Sequence, residues 1–515
     1  MGEGSHNGRC FGTIHAMRLR ARTWMSIGAG LLGLAVGLPV ATAAPWLEPG
    51  DPRARSAMQK LADRGHLDRP TTTWPLMWAN LEGVAANAIA DRDAVGTALA
   101  YLNFERDQQM RPGYRVEVGG SGTTETTTVR GFQGAPRASE QASVQIQWQG
   151  QRLAAGLSGT YAMDPEDGKN YRADGSYLAG SAGNWVIGAG ALDRWWGPGW
   201  QSSLILSNNA RPIPAIWLNR QRTTAPATDW LEWVGPWQLT LFAGELEKER
   251  AVAEPKLLGM RLALRPVQGL DIGLSRAIMF NGEGRPDSAS DFFDSLIGRD
   301  NSQDGGENDP GNQVAGVDAR YGFSLGGQSA GVYTQVIGED EAGDIPAPTN
   351  VSWLFGADWT TQFLDSDQQW FAEYANTFAG DLFGEGYPNI TYEHFNYQSG
   401  YRYYGRPLGA SFGGDAEAMT LGTYNFLRNG DNLRAKLSYV RFNKDGTTRT
   451  RVTNPDIDYS VPTKDQDVAI VELGYGTELF RGWLDVNVQG TSEEIELISG
   501  MKDRISVGAR WRYRF

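Results

Sequence analysis

Residues 193–214 read DRWWGPGWQSSLILSNNARPIP. Trp195, Trp196 and Trp200 supply three flat apolar rings, and Asp193, Asn208, Asn209 and Arg211 supply polar groups in the same stretch. A second segment, YEHFNYQSGYRYYGRPLG at 392–409, sets Tyr397 and Tyr401 beside Arg402 and Arg406. Rigid rings can cover the apolar C–H face of a sugar, while amides, carboxylates and guanidiniums meet its hydroxyls. Arginine also grips carboxylates in bidentate fashion, which suits uronate or pyruvate groups. All eleven residues are therefore candidate glycan contacts. The competing reading is architectural: aromatic girdles line both interfaces of a membrane barrel, and Gly-Pro-Gly can shape an inward-folded loop.

Other chemistry is poorly supplied. After residue 43 there are two histidines, His66 and His394, and no cysteine, so no His/Cys metal spacing exists. His394 beside Glu393 could serve a hydrolase, but no Gly-x-Ser-x-Gly elbow accompanies it. No carboxylate pair stands out for glycoside hydrolysis. The acidic run SQDGGENDPGNQ (302–313) could hold Ca²⁺ loosely but lacks EF-hand order, and a solvated loop is the simpler reading. Neither catalysis nor a cofactor is expected.

The elements that must position the two aromatic segments follow from composition and period. The chain has 515 residues with 65 Gly, 18 Trp, 19 Tyr and 19 Phe, yet a mean hydropathy of −0.41. That combination suits a β-barrel that is apolar on one face of its wall. The single long apolar stretch starts at Met17, with Arg18, Arg20 and Arg22 ahead of it and Ala-Thr-Ala behind. It reads as a signal peptide cut after Ala43 or Ala44, with residues 1–16 an upstream extension. Its removal takes away four arginines and Glu3, so the formal net charge moves from −13 to −16. This acidic balance disfavours a nucleic-acid partner.

Residues 44–111 read as a helical module. Ala54, Met58 and Leu61 fall on one helix face, Pro75 can open a second helix over PLMWANLEGVAANAIA, and DRDAVGTALAYLNFERDQQ gives a third. From 112 to 515 the period is two. Val144, Ile146 and Trp148 alternate with glutamines, Leu258, Met260, Leu262 and Leu264 alternate with Gly259, Arg261, Ala263 and Arg265, and the chain ends in RISVGARWRYRF. Short turns are expected near 149–150, 182–183, 235–236, 268–269, 326–327, 365–367, 429–431 and 481–482, with long loops at 119–138, 196–211, 283–313, 379–415 and 444–466. The bookkeeping gives an all-β transmembrane barrel of about 18 antiparallel strands with both ends periplasmic and long loops outside. Arg504, Arg510, Arg512 and Arg514 line the lumen side of the last strand, where Glu472, Glu478 and Asp485 are expected to pair with them.

The DRWWGPGWQSSLILSNNARPIP and YEHFNYQSGYRYYGRPLG stretches, supported by ADRGHLDRPTTTWPL (62–76), resemble the Wzi capsule-assembly family of Gram-negative outer-membrane proteins. The resemblance implies an 18-stranded barrel with a periplasmic helical bundle, binding capsular polysaccharide to hold it at the cell surface. The expected partners are capsular or exopolysaccharide and outer-membrane lipid, with the helical module able to close the lumen or touch capsule-export machinery; a monomer is expected. The rival function is an outer-membrane porin or substrate channel, since a barrel of this size holds water unless loops fill it.

Overall fold

The computed structural model describes residues 46–82, 84, 92–285, 311–339, 341–342, 345–348, 350–364, 366–380 and 386–515. Alternation of side chains builds eighteen wall strands. They are β1 (Gly113–Thr123), β2 (Ala138–Gln149), β3 (Leu153–Pro165), β4 (Tyr177–Ala182), β5 (Trp185–Ala191), β6 (Pro214–Arg220), β7 (Trp237–Glu245), β8 (Lys256–Val267) and β9 (Leu270–Phe280). The second half comprises β10 (Gly311–Leu325), β11 (Gln328–Gly338), β12 (Val351–Phe363), β13 (Ser366–Gly380), β14 (Glu417–Leu427), β15 (Asn432–Phe442), β16 (Gln466–Leu479), β17 (Gly482–Thr491) and β18 (Ile505–Arg514). A two-residue piece, Tyr171–Arg172, pairs with β3 ahead of β4. Neighbours are antiparallel, and β18 closes the barrel on β1 from Gly508↔Thr123 to Arg514↔Glu117.

The wall's outer face is apolar, with Val144, Ile146, Leu157 and Leu178 all at least 44% exposed. Such a face is stable only against lipid. Among the described residues no helix is long and apolar enough to cross a membrane.

Short turns join the strands at one end and long loops at the other. The expected turn at 235–236 is different: β6 stops at Arg220, and residues 221–236 form a longer connection with a 3₁₀ turn at Asp229–Val234. The cause is a tether, since the N–H and hydroxyl of Thr223 both donate to Asn80 Oδ1 at 2.9 and 3.0 Å. The acidic run at 302–313 lies outside the described residues up to 310, and its last three residues open β10.

Helix α1 (Pro52–Asp63) starts where Asp51 accepts from the N–H of Ala54 at 3.0 Å. It enters the lumen from the short-turn end, where Arg64 donates to the carbonyl of Gly327 and Arg53 to that of Gly430. Its polar residues meet the inner wall. Arg320 of β10 bridges Asp63 (2.7 and 2.8 Å) and Asp358 (2.9 and 2.7 Å), and Ser56 donates to Gln369 at 2.8 Å. Helix α2 (Arg92–Met110) packs beside α1, with Tyr101 donating to Asp51 at 2.6 Å. The helix expected from Pro75 does not begin there: Leu76–Met77 is extended and pairs with Trp46–Leu47, and a 3₁₀ turn follows at Trp78–Leu81. Of the rest of that segment, Gly83 and residues 85–90 lie outside the described residues.

The lumen arginines find other partners than expected. Arg434 of β15 takes both Glu472 (2.9 Å) and Asp485 (2.8 Å), while Arg514 takes Glu117 of β1 at 2.6 Å. One sector of the inner wall stays partly open to solvent, lined by Arg115, Glu117, Ser121, Gln141, Gln145 and Gln147 of β1 and β2. The opposite sector is sealed: Arg261, Arg265, Asp318, Arg320, Gln369 and Glu373 are all buried.

Candidate functional site

The 192–213 loop leaves β5 and folds into the lumen. Trp195 and Trp196 pair antiparallel with Trp74 and Thr73, and Gly197 (φ 142°) donates to the carbonyl of Thr72 at 3.0 Å. A side chain at Gly199 would collide with the carbonyl of Ser202, 2.1 Å from its Cβ position, so the Gly-Pro-Gly turn has room for nothing larger. Trp200 lies against Phe371 (6.0 Å, 14°) with the Arg55 guanidinium 4.3 Å over its ring. Glu373 of β13 accepts from the backbone N–H groups of Trp200, Gln201 (2.9 Å) and Ser202 (3.1 Å). Trp195 donates through Nε1 to the carbonyl of Gly199 at 3.0 Å.

Trp195, Trp196 and Trp200 are thus at most 1% exposed, and none has a face free for a sugar. The expectation that they stack on glycan is corrected: these rings are core. The polar members of the set are equally engaged. Asn208 donates to the carbonyl of Phe132 (2.7 Å) and Asn209 to that of Pro407 (2.9 Å). Arg211 pairs with Asp174 (2.7 Å) and Asp167 (2.6 Å). Asp193 and Arg211 stay partly open, with Asp193 3.9 Å from Arg137, beside a cleft of about 10 Å³. That volume admits one water and no sugar ring.

The second segment closes onto the first, so the two motifs meet in space. Tyr401 donates to the carbonyl of Ile205 (2.9 Å), Tyr397 to that of Asn281 (3.0 Å), and Arg402 to that of Tyr392 (2.9 Å). Arg406 reaches the carbonyls of Thr127 (2.7 Å) and Thr128 (3.0 Å) and the carboxylate of Glu166 (2.9 Å). Arg130 grips the same carboxylate at 2.6 Å. Burial alone would push Glu166 up, but the Arg130 and Arg406 guanidiniums prevail and hold it well below the ordinary carboxylate range. Tyr397, Tyr401, Arg402 and Arg406 are buried too, which removes them as open contacts.

Residues outside the predicted set form the surface of this roof. Phe395 is 71% exposed with Arg449 4.1 Å over its ring, and Tyr387 is 52% exposed. Tyr404 is partly exposed, with Arg211 (5.2 Å) and Lys169 (5.7 Å) over its ring. Arg449 is anchored from below, its backbone N–H donating to Glu393 (2.6 Å) and its guanidinium to the carbonyl of Asn389 (3.2 Å). An aromatic face with a fixed cation beside it can meet both a sugar ring and its carboxylate. The sequence signal for this rim was the Thr–Arg alternation TTRTRVT at 447–453, which composition alone does not distinguish from a solvated loop. His394 accepts at Nδ1 from the N–H groups of Asn396 (3.1 Å) and Tyr397 (3.2 Å), so that nitrogen serves the turn.

Comparison with known proteins follows the same lines. A family model described as capsule assembly protein Wzi matches residues 108–502. A Klebsiella pneumoniae protein described as an uncharacterized 55.8 kDa protein in the cps region is 31% identical over 349 residues. That match covers 67% of this chain and 66% of the relative, just under two thirds of its length. Among solved structures, one described as Wzi, an outer-membrane protein involved in group 1 capsule assembly in Escherichia coli and a carbohydrate-binding β-barrel, is 25% identical. It superimposes with a TM-score of 0.77, covering 92% of this chain and all of that one.

Proposed function

The chain belongs to the Wzi capsule-assembly family, and on that premise we propose that it binds capsular or exopolysaccharide and holds it at the cell surface without making or breaking bonds. The observation that carries this reading is the roofed long-loop end, whose outward side keeps Phe395 under Arg449 with Tyr387 and Tyr404 also presented. In this reading the long loops face outward and the short turns face the periplasm, as in other outer-membrane barrels. Helix α1, at the short-turn end, then closes the lumen from the periplasm and offers the face available to export machinery. Lipid contacts the apolar wall, and a single copy suffices.

Orientation is tested first. Outside residues 1–43 the chain has no cysteine, so single thiols can be placed freely. A membrane-impermeant maleimide should reach Tyr387→Cys on intact cells and Phe480→Cys, 83% exposed beside a short turn, only after permeabilisation. The reverse pattern overturns the reading. Purified protein should then retain the host's own surface polysaccharide, and a deletion strain should shed it.

A second reading, a channel, draws on the partly open sector of β1 and β2. Large steady single-channel currents in a planar bilayer would favour it. Silence favours the plugged barrel.

A further inference from the structure

Two loops at the long-loop end, 386–416 and 443–465, meet around Asn389. Its backbone N–H donates to Asp415 Oδ2 at 2.6 Å, and its Nδ2 donates to Asp445 Oδ2 (3.1 Å) and Thr447 Oγ1 (2.7 Å). Lys444 donates its backbone N–H to the carbonyl of Asp415 at 2.8 Å, and Asn443 uses its Nδ2 on the carbonyl of Pro462 at 2.9 Å. In each of Asn389, Asp415, Asn443 and Asp445 the Oδ1 oxygen is shielded from solvent and receives no hydrogen bond from the described residues. Three of these side chains are more than nine-tenths buried: Asn443 at 3%, Asp415 at 4% and Asn389 at 7% exposure.

Among the described residues no cation lies within ion-pair distance of the two carboxylates, and Arg402 acts on Asp415 only from longer range. Lys444 spends its ammonium on Glu417 at 2.5 Å, and Arg449 directs its guanidinium to the carbonyl of Asn389. Among the described residues neither Asp415 nor Asp445 forms an ion pair. Sequestered carboxylate and amide oxygens without donors cost free energy unless water, a proton or a cation faces them.

We propose that Asn389, Asp415, Asn443 and Asp445 form a Ca²⁺ site that staples the two loops of the roof. The donors are all oxygen and mix charged with neutral groups, which suits Ca²⁺. Nitrogen and sulfur ligands, which a transition metal would seek, are missing from this set. Among the described residues no three His, Cys, Asp or Glu converge, so the site rests on two carboxylates and two amides. Such a modest charge count fits a dissociation constant on the order of 10⁻⁴–10⁻³ M, the range of modules that work outside cells. The proposal does not depend on the glycan reading.

The test uses the full chain in detergent after chelation. Calorimetric titration with CaCl₂ to about 10 mM, well above that range, should show one ion per chain. The thermal midpoint should rise, and the 443–465 loop should become protected from protease. MgCl₂ should do neither, because Mg²⁺ dehydrates reluctantly and demands octahedral geometry. Asp415→Asn should weaken Ca²⁺ at least tenfold. Asp445→Asn, at a partly exposed position that tolerates change, should do the same while the barrel keeps its heat-modifiable migration. Absence of Ca²⁺ binding by the unmodified chain overturns the site, as does binding unchanged in both variants. Equal action of Mg²⁺ overturns the calcium assignment.

Discussion

The 192–213 loop and the 387–416 and 443–465 loops leave the same end of the barrel, and both groups carry aromatic and arginine residues. Their fates differ. In the first, Trp200 lies between Phe371 of the wall and Arg55 of α1, with a buried carboxylate, Glu373, collecting three N–H groups of its turn. In the second, Phe395 has Arg449 over one face and is 71% exposed. A ring becomes core when the wall strands supply a shaped seat and acceptors for the backbone beneath it. It stays surface when one side chain covers one face and solvent meets the other, as at Phe395, whereas Tyr401 of the same segment seats on the 192–213 loop and is buried.

The sharpest way to break this contrast is Trp200→Ala. It empties a fully buried indole site and should destabilise the protein by about 3–5 kcal/mol, read as a lowered thermal midpoint. Phe395→Ala should stay within about 0.5 kcal/mol of the parent. Equal midpoints for the two variants would erase the distinction.

Next in size is Glu166→Gln. It leaves Arg130 and Arg406 as buried cations that have lost their shared carboxylate, a loss of roughly 3 kcal/mol. Protease cleavage in the 124–137 or 387–416 loops should rise. Unchanged cleavage would mean that this cluster does not hold the roof.

The same cluster predicts an acid response. Glu166 is held below its ordinary value of 4.5, so its stabilisation is complete above about pH 4.5 and drains as pH falls through the depressed folded value. Protection of the roof loops should weaken below pH 4.5 in the parent. The Glu166→Gln variant should lose this component, and a parallel acid response in both would assign it elsewhere.

Much of the architecture was legible in the chain. The period-two runs of β2 and β8 announce a wall with one lipid face, and the alternation of tight turns with long loops gives eighteen strands. The helical reading held for Pro52–Asp63 and Arg92–Met110 but not at Pro75, where neighbouring backbone groups are used in extended pairing with Trp46–Leu47 and Trp195–Trp196. The expected partners of Arg510 were displaced by Arg434, two strands away from Asp485, because a long side chain on a concave wall reaches past its nearest neighbour.

The site was less legible for a related reason. Sequence marks Trp195, Trp196 and Trp200 as special, yet their burial depends on Arg55 and Glu373, about 145 and 173 residues away in the chain. No local pattern encodes that seat. Phe395 and Arg449 come from different loops, and their pairing likewise exists only after folding.

The central claim is that polysaccharide meets the exposed rim and not the tryptophan core. It is tested most directly by measuring retention of the host's surface polysaccharide on purified Phe395→Ala/Arg449→Ala protein against the parent. Retention should fall at least tenfold, about 1.4 kcal/mol, with the thermal midpoint unmoved. Retention equal to the parent's on a folded double variant would contradict the account.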